Sequence, residues 1–279
     1  MNWPDWIVPT PCLVDSGSLY VFIALCATFL IGVSKGGFGA GTGLLATPLL
    51  LMVLPGNVAL SVQLPILIAC DAFTLRHFPR DWERRSLLLL IPGTILGLGI
   101  GLGALLWFAR ENVNGDPWIR LVVGIVALAF CVLQWIPSRN GSNSLFRPGP
   151  RLGHLVGLLS GFTTMVAHAA GPLVTMFLLP QGLDRKRFVG TCARYFLGLN
   201  ISKLPLYFLA TFLASKTHYL TRQTLLWDLW LLPFCPIAVA LGAWLNRRVS
   251  ARVFTIVIYV FLFITGLQMI VKSVGVFLR

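Results

Sequence analysis

"GVSKGGFGAGTGLLATP", residues 32–48, interrupts an otherwise apolar run with five glycines after its first residue and one lysine, Lys35. Glycine costs a helix about 1 kcal/mol relative to alanine, and a lysine in hydrocarbon costs more again. Apolar segments flank the stretch on both sides. It therefore predicts a helix that breaks within a membrane span.

Composition sets that membrane context. The 279 residues are 57% hydrophobic and 11% charged, with a mean hydropathy of +0.83, whereas a soluble domain has about 25% charged residues. A globule of this length needs a polar shell that the chain cannot supply. Runs near the roughly 20 residues needed to span a bilayer recur throughout. The expected fold is an all-α polytopic membrane protein with about 8–10 membrane segments, some short or discontinuous.

Hydrophobic runs fall at 19–33, 43–54, 58–75, 86–108, 118–136, 152–166, 169–180, 188–213, 225–246 and 252–274. Two of them, 43–54 and 169–180, are too short for a comfortable crossing and read as half-helices or re-entrant segments. Residues 1–18 carry Asp5 and Asp15 but no Lys or Arg, so they lack the basic start of a secretory signal. They read as an extracytoplasmic N-terminal segment, with Trp3 and Trp6 at the interface. With the N-terminus outside, fourteen basic residues fall in cytoplasmic loops and six outside, a bias that supports this orientation provided that both short runs cross or both turn back.

The net charge of +13 belongs to those loops, and no basic-aromatic nucleic-acid motif accompanies it. The six cysteines are scattered without metal or redox spacing and read as small packing residues. Neither a cofactor nor a metal is expected. The expected partners are the lipid bilayer and a small anionic substrate, with a homodimer compatible and nucleic acid not.

The chain also repeats itself. "GTGLLATPLLLMVLP" in the first half matches "HAAGPLVTMFLLP" in the second, and "GLGALL" matches "ALGAWL". The division reads as a first transmembrane repeat at 19–136, a cytoplasmic linker at 137–151 and a second repeat at 152–279. Five runs per half would make the second repeat inverted, an arrangement found in transporters with discontinuous helices.

The motif "SKGGFGAGTGLLATPLLL", its weaker second copy and the closing "LGAWLNRR" resemble the sulfite exporter TauE/SafE family of bacterial membrane proteins, over about residues 19–272. The resemblance implies a multi-pass permease of the bacterial inner membrane that exports sulfite or an organosulfonate, and the charge bias above makes its N-terminus periplasmic. The second copy, "FTTMVAHAAGP", replaces glycines of the first and sets His168 at its break.

Half-helix N-termini offer free N–H groups and a positive dipole end, together an anion site. Gly36, Gly37, Gly39, Gly41, Thr42 and Gly43 are the backbone candidates, with close helix packing by small residues as the other reading. Lys35 either faces an anion or snorkels to the interface. Arg194 lies inside a span with Gly190, Thr191 and Gly198 near its face. Its planar fork suits oxyanions, and it could equally pair with Asp71 or backbone carbonyls. Asn200 and Lys203 join the candidates, about 60° apart on one helix, with Lys203 opposite Arg194. Those two could share a site only if the helix unwinds. Asp71, corresponding to Asn200 in the repeat, and His168 are the candidates for proton coupling; Asp71 could also pair with Arg76. Gln63 is weaker.

No Walker A or other ATP-hydrolysing motif appears, so the expected function is a secondary transporter and not an enzyme. The alternatives are an intramembrane enzyme acting on a lipid-linked phosphate, which lacks a set of acidic residues here, and an ion channel or exchanger.

Overall fold

The computed structural model describes residues 7, 12–14, 16–38, 44–78, 80–110, 116–135, 149–214, 217–245, 248 and 251–278. The candidates Gly39, Gly41, Thr42 and Gly43 lie outside the described residues, as do Asp5, Asp15, Trp3, Trp6 and most of the 137–151 linker. Among the described residues the chain is all-helical, and five helices are long and apolar enough to cross a membrane.

The first half runs α1 (Gly17–Val33), a π-helical turn (Ser34–Phe38), α2 (Ala46–Val53), α3 (Gly56–His77), α4 (Arg84–Arg110) and α5 (Asp116–Trp135). The second runs α6 (Pro150–Ala167), α7 (Gly171–Leu178), α8 (Arg185–Leu213), α9 (Arg222–Asp228), α10 (Phe234–Leu245) and α11 (Ala251–Phe277). Each half therefore opens with a long helix, a break and an 8-residue helix. At 1.5 Å per residue such a helix rises only about 12 Å, well short of a crossing. The run expected as one span at 225–246 is divided into α9 and α10 by turns at 229–233. Pro233 has no N–H to continue the ladder there.

Local chemistry accounts for the ends. The Asp184 side chain caps α8 by accepting from Arg187 N at 2.8 Å, and Thr221 and Thr224 form a capping box on α9. α6 stops at His168, whose φ of 51° is left-handed. The backbone N–H groups of His168 and Ala169 return to Thr164 and Thr163 carbonyls at 3.0 and 3.3 Å, closing the helix end.

Small residues set the two principal parallel pairings. In α4 and α6, glycines recur every fourth residue: Gly93, Gly97 and Gly101 on one, Gly153, Gly157 and Gly161 on the other. A Cβ on Gly93 or Gly157 would strike the backbone of the facing helix. In α1 and α10, Gly32 meets Ala238 and Gly242 meets Val33 in the same manner. Backbones approach this closely only where side chains are absent. α5 packs along α11, and α3 along α8.

The ends of the short helices lie at different ends of the bundle. Leu13 N, just before α1, donates to Val53 O at the end of α2 at 2.8 Å, so α1 and α2 form a hairpin. Asn57, opening α3, reaches His218 O at 2.8 Å at that same end. Arg120 of α5 donates to Leu54 O at 3.0 Å, to Leu51 O and to Asp116, which in turn accepts from Gly56 N. α7 finishes elsewhere: Gln181, just beyond it, accepts from Ser86 of α4 at 2.6 Å.

Candidate functional site

The two breaks face a buried polar cluster between α3 and α8. Lys35 leaves the π-helical turn and donates to Asp71 of α3 at 2.6 Å, with its ammonium 4.7 Å from the Phe196 ring centre. Asn200 of α8 donates to the other Asp71 oxygen at 2.9 Å. One turn on, Lys203 is 0% exposed. Its Nζ lies 2.6 Å from His168 Nδ1, 3.1 Å from Thr164 Oγ1 and 3.4 Å from Thr164 O. The far ring nitrogen of His168 faces Leu60 O at 2.9 Å.

A second layer joins the halves beside His168. Thr47, in the first turn of α2, contacts Gln63 Oε1 at 2.9 Å and Ala167 O at 3.0 Å. Among the described residues the opposite edge of the Gln63 amide is buried without a hydrogen-bond partner, and so is Asn200 Oδ1. Among the described residues the cluster thus holds two lysines, one histidine and one aspartate. Among the described residues no carboxylate lies within ion-pair distance of Lys203.

The other sequence candidates sit apart. Arg194 is half-buried, donates to Phe78 O at 3.2 Å and to Gly190 O at 3.4 Å, and stacks 5.1 Å from the Trp82 ring centre. Thr191 accepts from Glu83 N at 2.8 Å and donates to Arg187 O at 2.6 Å. Both therefore hold the segment between α3 and α4 against α8. Helix α8 continues unbroken from Arg185 to Leu213 despite Pro205, so Arg194 and Lys203 stay on different faces. Gly36 faces Val239 of α10, whose carbonyl a Cβ would strike; its missing side chain serves helix packing. Gly37 is buried at the end of the π turn. Asp71 pairs with Lys35, not with Arg76 or Arg194, and Lys35 is buried instead of snorkelling.

A family model described as Sulfite exporter TauE/SafE matches residues 24–269. The chain belongs to this family. No match is found among curated proteins or among solved structures. The match covers every described residue of the central cluster, and membership in a family of sulfite exporters, with the apolar helices, makes this TauE/SafE member a multi-pass membrane transport protein.

Sequence reasoning missed Thr164 and Thr47, since neutral threonines in apolar runs carry no distinguishing signal. A signal for the Lys35–His168 correspondence was present. "VSKGG" at 33–37 and "VAHAA" at 166–170 set a lysine and a histidine at the same place in the two breaks. In this TauE/SafE chain each of them then bonds a residue of the next long helix, Lys35 to Asp71 at 36 positions on and His168 to Lys203 at 35.

Proposed function

We propose that the chain is a secondary transporter exporting a small sulfur-containing anion, sulfite or an organosulfonate, bound where the two helix breaks meet. The observation that carries this reading is the charge balance of the buried cluster. Among the described residues two lysines face a single aspartate, and Asp71 is already engaged by Lys35 and Asn200, so a protonated Lys203 has no counter-charge of its own. A buried charge without a counter-charge is costly. A small oxyanion beside Lys203 offsets that cost and finds donors in Thr164 and the free edge of Gln63. Gly37 and the glycines of 39–43 enter the reading from the sequence alone, as backbone donors.

The reading takes the two halves as inverted repeats. Its support is the hairpin of α1 and α2 at the end holding Leu13 and Asn57, against the finish of α7 beside Ser86. The second end is the Arg-rich one, with Arg80, Arg84, Arg85, Lys186 and Arg187, and is assigned to the cytoplasm. Arg194 and Thr191 lie toward it and would receive the anion before the central site. Outward movement of an anion is favoured by a negative interior, by about 2.3 kcal/mol per charge per 100 mV.

The test is sulfite and organosulfonate flux in proteoliposomes, for the wild type and Lys203→Met. Flux that is voltage-sensitive and lost in the variant is expected. Cation flux without anion flux, or an unchanged variant, would overturn the assignment.

A further inference from the structure

A cavity of about 510 Å³ lies away from the central cluster, at the end of the bundle that holds Leu13 and Asn57. Three helices wall it: α2 gives Met52, α5 gives Asp116, Pro117 and Arg120, and α11 gives Lys272 and Val276. Its size falls among small-ligand sites, roughly 300–1,000 Å³. Two basic side chains and one carboxylate line it. Asp116 is already occupied, since its oxygens accept from Gly56 N and Arg120 Nε. Lys272 is exposed, and among the described residues no carboxylate lies within ion-pair distance of it. Arg120 is only 7% exposed. Beyond its bonds to Asp116, Leu51 O and Leu54 O, its Nη1 meets the Met269 sulfur at 3.8 Å, a weak acceptor. A buried guanidinium with donor capacity left over and an unpaired lysine thus share one cavity, and together they suit an oxyanion.

The surroundings set the depth of this cavity in the bilayer. Trp118 follows Pro117 and Phe277 follows Val276, and their ring centres are 4.7 Å apart. The outward-facing Trp107 of α4 meets Trp118 at 5.3 Å. Such rings gather at the level of the lipid headgroups. From there Val274, Val271, Leu267 and Ile264 recur at three- and four-residue spacing along α11, all exposed. They form an apolar stripe leading from the cavity toward the bilayer centre. A ligand seated here meets positive charge at one end and a lipid-facing surface at the other.

We propose that this cavity binds the headgroup of an anionic phospholipid, with its phosphate on Lys272 and Arg120 and its acyl chains along the outer stripe of α11. Charge makes the selection: a zwitterionic headgroup carries its own cation and gains less from Lys272. Because Arg120 also holds the end of α2, a bound headgroup braces the corner between α2 and α3. The site does not depend on what the chain transports.

The melting temperature of the purified protein in a neutral detergent reads the site, because a ligand of the folded state raises it. Short-chain phosphatidylglycerol is expected to raise it saturably. Phosphatidylcholine of the same chain length and glycerol 3-phosphate are expected to leave it unchanged over the same concentrations. Lys272→Gln should shift the midpoint of the titration about fivefold upward, the worth of one basic residue at a charged membrane surface. Val276→Trp keeps the charge, fills the cavity and should abolish the response. Both residues are exposed, and each variant's melting temperature without lipid serves as its own baseline. Equal stabilisation by phosphatidylcholine would show that charge is not read. Equal stabilisation by glycerol 3-phosphate would make this a site for free phosphate esters. Either result overturns the proposal, as does a wild-type midpoint in either variant.

Discussion

Lys203 Nζ on α8 lies 2.6 Å from Nδ1 of His168, while Nε2 of the same ring faces the Leu60 carbonyl at 2.9 Å. A carbonyl only accepts, so Nε2 carries the proton and Nδ1 accepts from Lys203. The imidazole is thereby fixed at both edges, on a residue whose own backbone is left-handed at φ 51°. His168 thus joins the end of α6 to both α3 and α8.

His168→Asn removes the ring and retains a residue that tolerates the left-handed region. It is expected to fold and to lose about tenfold in sulfite flux, equivalent to ~1.4 kcal/mol. His168→Ala adds a left-handed penalty of roughly 1–2 kcal/mol and should melt lower than His168→Asn. Wild-type flux in His168→Asn would remove the ring from the transport site.

The Lys35–Asp71 pair makes a different prediction, because both partners are buried. Removing one partner strands the other charge. Asp71→Ala is expected to cost about 3–5 kcal/mol, and Lys35→Met with Asp71→Leu to recover much of it. Thermal unfolding of the wild type and these two variants in one detergent measures this. A double variant no better than Asp71→Ala would show that the two charges do not compensate each other.

Glycine substitutions distinguish packing from tolerance within one fold. A Cβ at Gly36 meets the Val239 carbonyl, whereas one at Gly103 meets nothing within 4 Å. Gly36→Ala should therefore destabilise by about 1–3 kcal/mol through overpacking. Gly103→Ala should be neutral or gain up to ~1 kcal/mol in helix propensity. Equal melting temperatures for the two variants would contradict the observed approach of the π-helical turn to α10.

Much of the fold was legible because hydrocarbon imposes a simple pattern. The weak helix former at 34–43 and the "VAHAA" interruption mark the two breaks, and the short runs 43–54 and 169–180 contain α2 and α7. The split of 225–246 was missed although Asp228 and Pro233 stand inside that run, because its overall apolar length outweighed them. The candidate site was legible as residue types and not as a constellation. Periodicity on one ideal helix correctly separated Lys203 from Arg194, but it cannot show what faces them from other helices. Arg194 carried the stronger signal yet sits with Phe78 and Trp82. Lys35 and Asp71 are 36 residues apart on different elements, and only the packing of α3 against the π turn brings them together.

The corner between α2 and α3 carries the last prediction. An 8-residue helix is too short to hold itself, and its final carbonyls have no intrahelical donors. Arg120 supplies those donors to Leu51 and Leu54, and through Asp116 it also secures Gly56 at the start of α3. Arg120→Ala leaves both helix ends unpaired and is expected to cost about 1.5–3 kcal/mol, the range for hydrogen bonds to a charged group. Arg120→Lys keeps the charge but lacks the planar fork needed for two carbonyls and a carboxylate, so it should recover only part of the loss. The effect should reach transport as well as stability, because the first turn of α2 carries Thr47, which contacts Gln63 and Ala167 beside the candidate site. Flux measured well below each variant's melting temperature separates the two effects. Both variants should transport more slowly there, alanine more than lysine. Full flux in Arg120→Ala would mean that α2 keeps its place without the clamp.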